Sequence, residues 1–266
     1  MGCTTVIATY NRVGCLPKAI RSALNTILSG EVIVVDDAST DNTLAVLRHE
    51  FFDEIASEKL RVICNKVNLG VTGSKNEGYK VARHDWVIFL DSDDWYLESA
   101  GADLLNELNA NSKQPIVFFR CVDQAGNFVG QLFEQSRLLD LRTYLQHASF
   151  GEALTAVNKK MVGSQLPYVS NLRGYEGIGC CRLIDQFGPA FLSGVVARVY
   201  DQRGDDRLSV PSGMLRRMPL LAQGHMLMLK EFGANMRLSR AIGYLLKALV
   251  YYVCGKTYQA VVISRK

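Results

Sequence analysis

Three acidic side chains follow directly after a short apolar run in the stretch VIFLDSDDWY, residues 87–96. The acids are Asp91, Asp93 and Asp94, and carboxylates this close together repel one another. Helix capping and turn formation require fewer acids than this stretch contains. Hard divalent cations prefer carboxylate oxygens, and Mg²⁺ is usually held by one or two carboxylates together with substrate phosphates. The stretch therefore predicts a site for a metal ion and a diphosphate.

Two further polar clusters follow apolar runs earlier in the chain. Thr9, Tyr10 and Asn11 follow the first run, and Asp36 and Asp37 follow the second. Turn formation and helix capping explain some of the acids around the second cluster. Ligands of open parallel sheets bind outside the carboxyl ends of the strands. If the apolar runs are strands of one such sheet, all three clusters lie on the same rim.

The elements that position these clusters are predicted from hydrophobic periodicity. Short runs rich in Val, Ile and Phe alternate with amphipathic stretches, which predicts an α/β fold with a mostly parallel sheet and helices on both faces. The five predicted strands are residues 4–10, 31–37, 60–65, 86–91 and 115–120, and the four predicted helices are residues 16–28, 43–52, 73–83 and 97–109. Beyond residue 121 the pattern becomes irregular: we predict a hairpin turn at 123–128 and a helix at 138–150, and residues 151–200 mix short apolar runs with glycines and loop signals.

The composition is that of a globular protein, with 48% hydrophobic and 21% charged residues in a chain of 266. The sequence has no uninterrupted run of 18 apolar residues, so we expect no bilayer-spanning helix. The first residues, MGCTTVIATYN, lack the charged and apolar regions of a secretory signal. Seven cysteines without a CxxC pair indicate free thiols in a reducing compartment, so we expect a cytoplasmic protein.

The C-terminal segment is strongly basic. From Met214 to Lys266 there are nine Lys or Arg and one acid, which gives the segment +8 and leaves −4 for the rest of a chain whose formal charge is +4. The segment is predicted to be mainly helical. Its apolar face comprises Leu238, Ile242, Leu245, Leu249 and Val253, and its cations Arg237, Arg240 and Lys247 fall largely on the other face. We expect the tail to lie on an anionic membrane surface, to pack its leucine face on the body, or to do both.

Four motifs, in order and spacing, resemble a family 2 glycosyltransferase of the GT-A fold. They are ATYNR at 8–12, DDASTD at 36–41, NLGVTGSKNEG at 68–78 and FLDSDDW at 89–95, with a weaker match in LRGYE at 172–176. The resemblance implies an inverting enzyme of the bacterial polysaccharide or O-antigen type. It also implies a nucleotide-diphosphate sugar donor, most often uridine-based, and the transfer of one sugar to a saccharide acceptor that is often linked to a polyprenyl diphosphate.

The resemblance implies a role for each motif residue. Tyr10 would stack beside the base, Asp37 would bond its imide edge, and Asp91 would contact the ribose or the donor sugar. Lys75 stands where the family usually has arginine, which keeps the charge but loses the bidentate fork. The implied donor-binding residues are Thr9, Tyr10, Asp36, Asp37, Lys75, Asn76, Asp91 and Ser92, and the implied ligands of Mn²⁺ or Mg²⁺ are Asp93 and Asp94.

Glu176 is the implied general base. Inversion in one displacement requires a carboxylate that takes the proton of the acceptor hydroxyl. Family members often have Glu-Asp in this motif, whereas Gly177 follows Glu176 here, so Asp185 and Glu152 stay open as alternatives. His225 is read as structural, because a lone histidine in a helical context more often packs than reacts.

The predicted organisation has three parts and places the protein at the inner face of the cytoplasmic membrane. Residues 1–120 form the nucleotide-sugar-binding half, 121–212 the acceptor-binding and catalytic-base half, and 213–266 the basic tail. One rival interpretation is a degenerate protein that holds nucleotide sugar without turnover. A sugar-phosphate nucleotidyltransferase is disfavoured, because TYNRVGCLPKA does not resemble its glycine-rich signature. Interleaved aromatics are missing, so we expect no nucleic-acid partner.

Overall fold

The structure is a computed structural model that describes residues 2–26, 29–130, 136–146, 152–201 and 211–263. The strands are β1 (Cys3–Thr9), β2 (Ser29–Asp36), β3 (Leu60–Cys64), β4 (Trp86–Asp91), β5 (Trp95–Tyr96), β6 (Ile116–Val122), β7 (Arg137–Leu139), β8 (Ala153–Asn158) and β9 (Ala190–Val199). The helices are α1 (Leu16–Asn25), α2 (Thr43–Glu50), α3 (Phe52–Ala56), α4 (Gly70–Val81), α5 (Gly101–Ala110), α6 (Leu141–Gln146), α7 (Lys159–Val162), α8 (Glu176–Phe187), α9 (Pro211–Phe232) and α10 (Leu238–Ile263). Single 3₁₀ turns precede α5 and α10.

The nine strands of the described ranges form one sheet in the order β3-β2-β1-β4-β8-β6-β9-β5, and β7 pairs with β9. Strands β1 to β4 pair in parallel, and β8 runs antiparallel between β4 and β6. Because β8 is antiparallel to both β4 and β6, β6 runs in the same direction as β1 to β4. Strand β9 is parallel to β6 and therefore runs in this direction too. The predicted α/β fold with a mostly parallel sheet is therefore confirmed, and each of the five predicted strands is found within two residues of its expected bounds.

Both faces of the sheet are buried, which explains the continuous apolar runs of the sequence. Neighbouring residues of one strand belong to different hydrophobic clusters: Val6 packs on one side of the sheet and Ile7 on the other. Helices α4 and α8 cover the Val6 side, whereas α1 and α5 cover the Ile7 side. Each fully buried Leu, Ile or Val side chain contributes about 1.5–3 kcal/mol to folding. The rigid sheet therefore fixes where its strand ends lie.

The second half of the chain contains more regular structure than the sequence predicted. The helix predicted over 138–150 was wrong at its start, because residues 137–139 form β7, which pairs with β9; the helix itself spans Leu141–Gln146. Residues 147–150 lie outside the described residues. The mixed pattern of residues 151–200 predicted no defined element, and the structure places β8, α7, α8 and β9 there. The hairpin turn at 123–128 is confirmed by the hydrogen bond from Asp123 N to Asn127 O and by the bridge between Val122 and Phe128.

The C-terminal segment forms α9 and α10, so the predicted helical extension is confirmed. The two helices pack closely, with Ala248 and Gly255 of α10 buried. The interpretation that the leucine face packs on the body is wrong, because this face is exposed: Leu238 by 77%, Leu249 by 61% and Val253 by 54%. In the part of the chain that the structure describes, no helix has the length and apolar character needed to cross a bilayer.

Candidate active site

A cleft of about 670 Å³ opens at the carboxyl ends of β1, β2 and β4. In the parallel register Thr9 lies opposite Asp36, and Ala8 lies opposite Asp91, so the three strands end at the same level. The polar residues that follow each strand therefore converge. Asp37, Asp91 and Asp93, which are distant in sequence, line the same cleft, together with the side chain of Glu176.

The residues after β1 and β2 form one end of the cleft. Asp37 is buried, and its carboxylate accepts hydrogen bonds from the backbone N–H groups of Leu69 and Gly70 at 2.7 and 2.8 Å. These bonds hold the start of α4 against the end of β2. Tyr10 is 44% exposed and lines the cleft, so its ring is accessible for stacking. Thr9 also lines the cleft.

Asp36 lies behind this end of the cleft and does not line it. It is buried, and its Oδ2 accepts a hydrogen bond from Ser39 N at 3.1 Å. Asn76 is likewise buried and turned away: its amide donates to Tyr168 O at 2.9 Å and accepts from Tyr168 N at 3.1 Å. The structure therefore gives both residues a supporting place beside the cleft and does not bring them to its surface.

Asp91 is held by two cations, one on each carboxylate oxygen. Lys75 Nζ lies 2.8 Å from Oδ1, and Arg198 Nη1 lies 3.1 Å from Oδ2. Burial opposes the ionisation of Asp91, but the two cations outweigh it and lower its pKa to about 2. Lys75 alone cannot form the bidentate contact of an arginine, and Arg198 supplies the second cation. Ser92, the next residue, also lines the cleft.

The two remaining acids of the DSDD stretch face different surroundings. Asp93 lines the cleft, with Arg12 Nη1 at 3.4 Å, and burial and the charge of Asp91 raise its pKa. Asp94 is buried and does not line the cleft; its Oδ1 accepts a hydrogen bond from Asp201 N at 2.9 Å, and its Oδ2 lies 3.0 Å from Arg198 Nη1. The structure therefore brings Asp93 to the cleft and pairs Asp94 with Arg198 away from it, a correction to the metal role implied for Asp94.

The cleft suits a divalent cation that arrives with a diphosphate. Within the described ranges, no three His, Cys, Asp or Glu side chains are grouped to hold a metal ion by themselves. The described lining has a formal charge of −2, from four cations and six acids, so the cleft attracts a cation more readily than a free anion. Mg²⁺ commonly uses one or two carboxylates plus phosphate oxygens, and Asp93 supplies one. The lining cations are Arg12, Lys75, Arg173 and Arg198, and the lining acids are Asp37, Asp91, Asp93, Glu152, Glu176 and Asp201.

Glu176 is the first residue of α8 and faces the cleft. Burial raises the pKa of its carboxyl; Lys75 opposes the shift, and the charges of Asp91 and Glu152 add to it. Glu152 also lines the cleft, but it is ion-paired with Arg198 at 3.3 Å. Asp185 lies further along α8 and does not line the cleft. Of the three acids considered for the base, Glu176 combines access to the cleft with a raised pKa.

Sequence reasoning missed three cations of the site. Arg12 belongs to the quoted ATYNR motif and Arg173 to LRGYE, so their positions within these motifs were a signal that could have identified both. Burial lowers the pKa of Arg173, and the neighbouring charges of Arg217 and Arg12 add to this effect. Arg198 lies in β9 and meets Asp91 across 107 positions of sequence. No local pattern signals such a contact.

Residues 4–164, more than half of the chain, match the family model described as glycosyl transferase family 2. A Campylobacter jejuni GalNAc(5)-diNAcBac-PP-undecaprenol beta-1,3-glucosyltransferase is 30% identical over 60% of this chain and 52% of its own length. An Escherichia coli UDP-Glc:alpha-D-GlcNAc-diphosphoundecaprenol beta-1,3-glucosyltransferase, WfaP, is 32% identical over 35% of each chain. The chain thus spans about half or less of the length of these two curated relatives.

Solved structures share the fold at low identity. S. aureus TarS in complex with UDP-GlcNAc matches with a TM-score of 0.66 and 18% identity, over 86% of this chain and 67% of that one. A Pyrobaculum calidifontis mannosyltransferase in complex with GDP-Man and Mn²⁺ matches with a TM-score of 0.64 and 16% identity, over 98% of this chain and 74% of that one. These likenesses concern the fold alone, and they confirm the predicted GT-A-like architecture.

Proposed function

The chain belongs to glycosyl transferase family 2, and from this premise we propose that it moves one sugar from a nucleotide-diphosphate sugar to a saccharide acceptor in polysaccharide biosynthesis. One observation carries the proposal: Asp37, Asp91, Asp93 and Glu176 line a single cleft together with four cationic side chains. The donor we propose is a UDP-hexose or UDP-N-acetylhexosamine. The TarS complex with UDP-GlcNAc and the UDP-Glc named for WfaP support this choice.

The donor would lie with its nucleoside at the β1–β2 end of the cleft. Tyr10 offers an exposed ring for stacking on the base, and Asp37 offers its carboxylate at the same end. The carboxylate of Asp37 is already oriented by the N–H groups of Leu69 and Gly70, so it needs little reorganisation on binding. Thr9 and Ser92 extend the polar lining toward the diphosphate.

The diphosphate would lie among the cations at the centre of the cleft. Negative charge grows on this group as the sugar leaves, and Arg12, which follows β1, and Arg173, which precedes α8, line the cleft and would stabilise that charge. Asp93 is the residue that would hold Mn²⁺ or Mg²⁺, and the ion would neutralise charge on the diphosphate oxygens. Lys75 and Arg198 hold Asp91 ionised, so its carboxylate would accept a hydrogen bond from a hydroxyl of the ribose or the donor sugar.

Glu176 would act as the general base of an inverting displacement. Its side chain reaches the cleft from α8, whereas the donor-binding residues come from β1, β2 and β4. A carboxylate whose pKa is raised by burial binds a proton more readily than an ordinary one, so it accepts the acceptor's proton more effectively near neutral pH. Removal of that proton lets the acceptor oxygen attack the anomeric carbon as the diphosphate departs.

We place the acceptor at a membrane surface, as a lipid-linked saccharide. The relatives from C. jejuni and E. coli are named for undecaprenol-linked acceptors. On α10, eight large apolar side chains are exposed, and the exposed cations Arg237, Lys247 and Lys256 accompany them. A helix of this kind binds an anionic lipid interface through both apolar and charged contacts. The proposed location is therefore peripheral, at the inner face of the cytoplasmic membrane.

The experiment that tests the function is a donor screen followed by product analysis. UDP-glucose, UDP-GlcNAc and GDP-mannose are added to the full chain with and without Mn²⁺, and thermal shift and UDP or GDP release are measured. We expect a UDP-sugar to stabilise the protein with Mn²⁺ present and to be turned over with a GlcNAc-diphospho-lipid acceptor. Stabilisation without any product would favour the degenerate nucleotide-sugar-binding protein instead. No response to any nucleotide sugar would refute both.

A further inference from the structure

The loop that leads to Glu176 is gripped by the C-terminal helices. Tyr175 directly precedes α8, and its hydroxyl donates a hydrogen bond to Leu221 O on α9 at 2.8 Å. The same hydroxyl contacts Nδ1 of His225, one turn further along α9. Arg217 Nη2, also on α9, donates to the carbonyl of Arg173 at 3.4 Å. One helix outside the sheet therefore holds the residues just before the proposed base.

The Tyr175 ring is tightly packed against α9. A Cβ added at Gly224 would overlap three atoms of the Tyr175 ring, so glycine is the residue that lets the ring lie on α9. His225 packs edge-on against the same ring, with centroids 5.4 Å apart. Tyr244 and Tyr251 of α10 enclose His225 from the other side, with centroids at 5.1 and 5.4 Å. Both tail helices thus contribute to the seat of Tyr175.

A second contact fixes the body of α8 to the same helix. Arg182 of α8 and Glu231 of α9 form a bidentate ion pair, with N–O distances of 2.8 and 2.6 Å. Bidentate pairs of this kind constrain orientation as well as distance. The start of α8 is held through Tyr175 and its middle through Arg182, so the backbone around Glu176 is restrained by α9 at two points.

We propose that Tyr175 is a positioning residue, and that its seat on α9, built by Gly224, Leu221 and His225, holds the Glu176 carboxylate in the cleft. The inference rests on the proposed function, in which Glu176 is the base. It assigns the C-terminal helices a part in the chemistry that is separate from any contact with lipid. A displacement of about 1 Å in a catalytic group can lower turnover by about 100-fold, so a small shift of this loop suffices.

The test compares Gly224→Ala with Gly243→Ala in the full chain. Gly243 lies on α10 with no atom within 4 Å of an added Cβ, so it is a matched control for the same chemical change. Hydrogen exchange over residues 172–178 reads the loop directly. UDP release from the UDP-sugar selected by the screen gives kcat and KM, and calorimetry with UDP gives donor affinity.

We expect Gly224→Ala to speed exchange in residues 172–178 and to lower kcat by about 10- to 100-fold. UDP affinity should stay within about twofold of the unmodified chain, because the nucleoside end of the cleft is built by other elements. The acid limb of kcat against pH should move to lower pH, since a loosened Glu176 is better solvated. Gly243→Ala should change none of these, and Tyr175→Phe, which keeps the ring and loses the hydroxyl, should give an intermediate kcat.

Two results would overturn the proposal. One is a folded Gly224→Ala variant with unchanged exchange, kcat and pH profile. The other is a parallel loss of kcat, UDP affinity and thermal stability, which would indicate general structural damage. If the unmodified chain binds UDP and releases none from any UDP-sugar, the proposed function fails, and the exchange measurement still decides whether α9 restrains the loop.

Discussion

Replacement of Arg198 by methionine should destabilise the protein severely, because this side chain neutralises three acids at once. Arg198 is buried, and its guanidinium lies 3.1, 3.0 and 3.3 Å from the carboxylates of Asp91, Asp94 and Glu152. Asp91 keeps Lys75 as a partner, and Glu152 is half exposed to water. Asp94 is fully buried, and burial already raises the pKa of its carboxyl to about 8, so without Arg198 it would have to take up a proton or stay charged without a partner, and either state costs stability at pH 7.

The expected magnitude follows from Asp94. Removal of one partner of a buried ion pair costs about 3–5 kcal/mol, because the remaining carboxyl either stays charged without solvation or must take up a proton. For a domain of this size each kcal/mol shifts Tm by about 2–4 °C, so Arg198→Met should lower Tm by roughly 6–20 °C. Arg48→Met, the same change at an exposed position of α2, should shift Tm by no more than about 2 °C.

A second substitution separates the charge effect from the loss of packing. In the Arg198→Met background, Asp94→Asn removes the carboxyl that must otherwise be protonated or left unpaired, and it should recover a large part of the lost stability, measured by urea or thermal unfolding at pH 7. On its own, Asp94→Asn should be destabilising, since Arg198 then loses one of its partners. The reasoning is refuted if Arg198→Met unfolds within about 1 kcal/mol of the unmodified chain, or if Asp94→Asn lowers stability equally in both backgrounds.

Four further predictions concern the cleft and the tail. Asp93→Asn should abolish the Mn²⁺-dependent part of UDP-sugar binding measured by calorimetry, whereas Asp103→Asn, at an exposed position of α5, should bind normally; normal binding by the first variant would exclude the metal role. Glu176→Gln should keep donor affinity and lower kcat by about 100-fold or more. Burial raises the pKa of Glu176, so kcat of the unmodified chain should be lost on acidification with a midpoint above the ordinary glutamate pKa of about 4.3. A midpoint at or below that value would count against Glu176 as the base. Leu249→Glu should weaken co-sedimentation with anionic liposomes about fivefold to tenfold, whereas Phe52→Glu, at an exposed apolar position of α3, should leave it unchanged; equal effects would exclude α10 as the lipid-binding face.

The first half of the fold could be predicted because its strands are buried on both faces. Such strands have continuous apolar runs, and the polar residues at their ends are conspicuous against them. Strands β7 and β9 were missed because neither has a long, continuous apolar run. β7 has only three residues, and Ser193 and Gly194 interrupt the apolar run of β9. Their pairing is decided by the strands beside them, and single-strand patterns do not contain that information.

The candidate site was predictable as a set of acids and less so in its internal arrangement. Asp93 and Asp94 are neighbours in sequence, yet one faces the cleft and the other faces Arg198, and no local pattern distinguishes them. Asn76 belongs to a motif that resembles a donor-binding segment, and its amide is used to hold the backbone of Tyr168. Motifs therefore identified the region of the chemistry, and the partners of each side chain required the folded chain.

The order of strands in the sheet limits how this protein can be divided or recombined. Strand β8, which follows residue 150, lies between β4 and β6, which precede residue 123. A fragment that ends near residue 120 would expose the edge of β4 from Trp86 to Phe89, where β8 now pairs. If whole halves were exchanged between relatives, the new β8 would have to pair in register with β4 and β6. The proposed donor preference is therefore better altered by substitutions in the segments that follow the strands, because these leave the pairing of β8 with β4 and β6 unchanged.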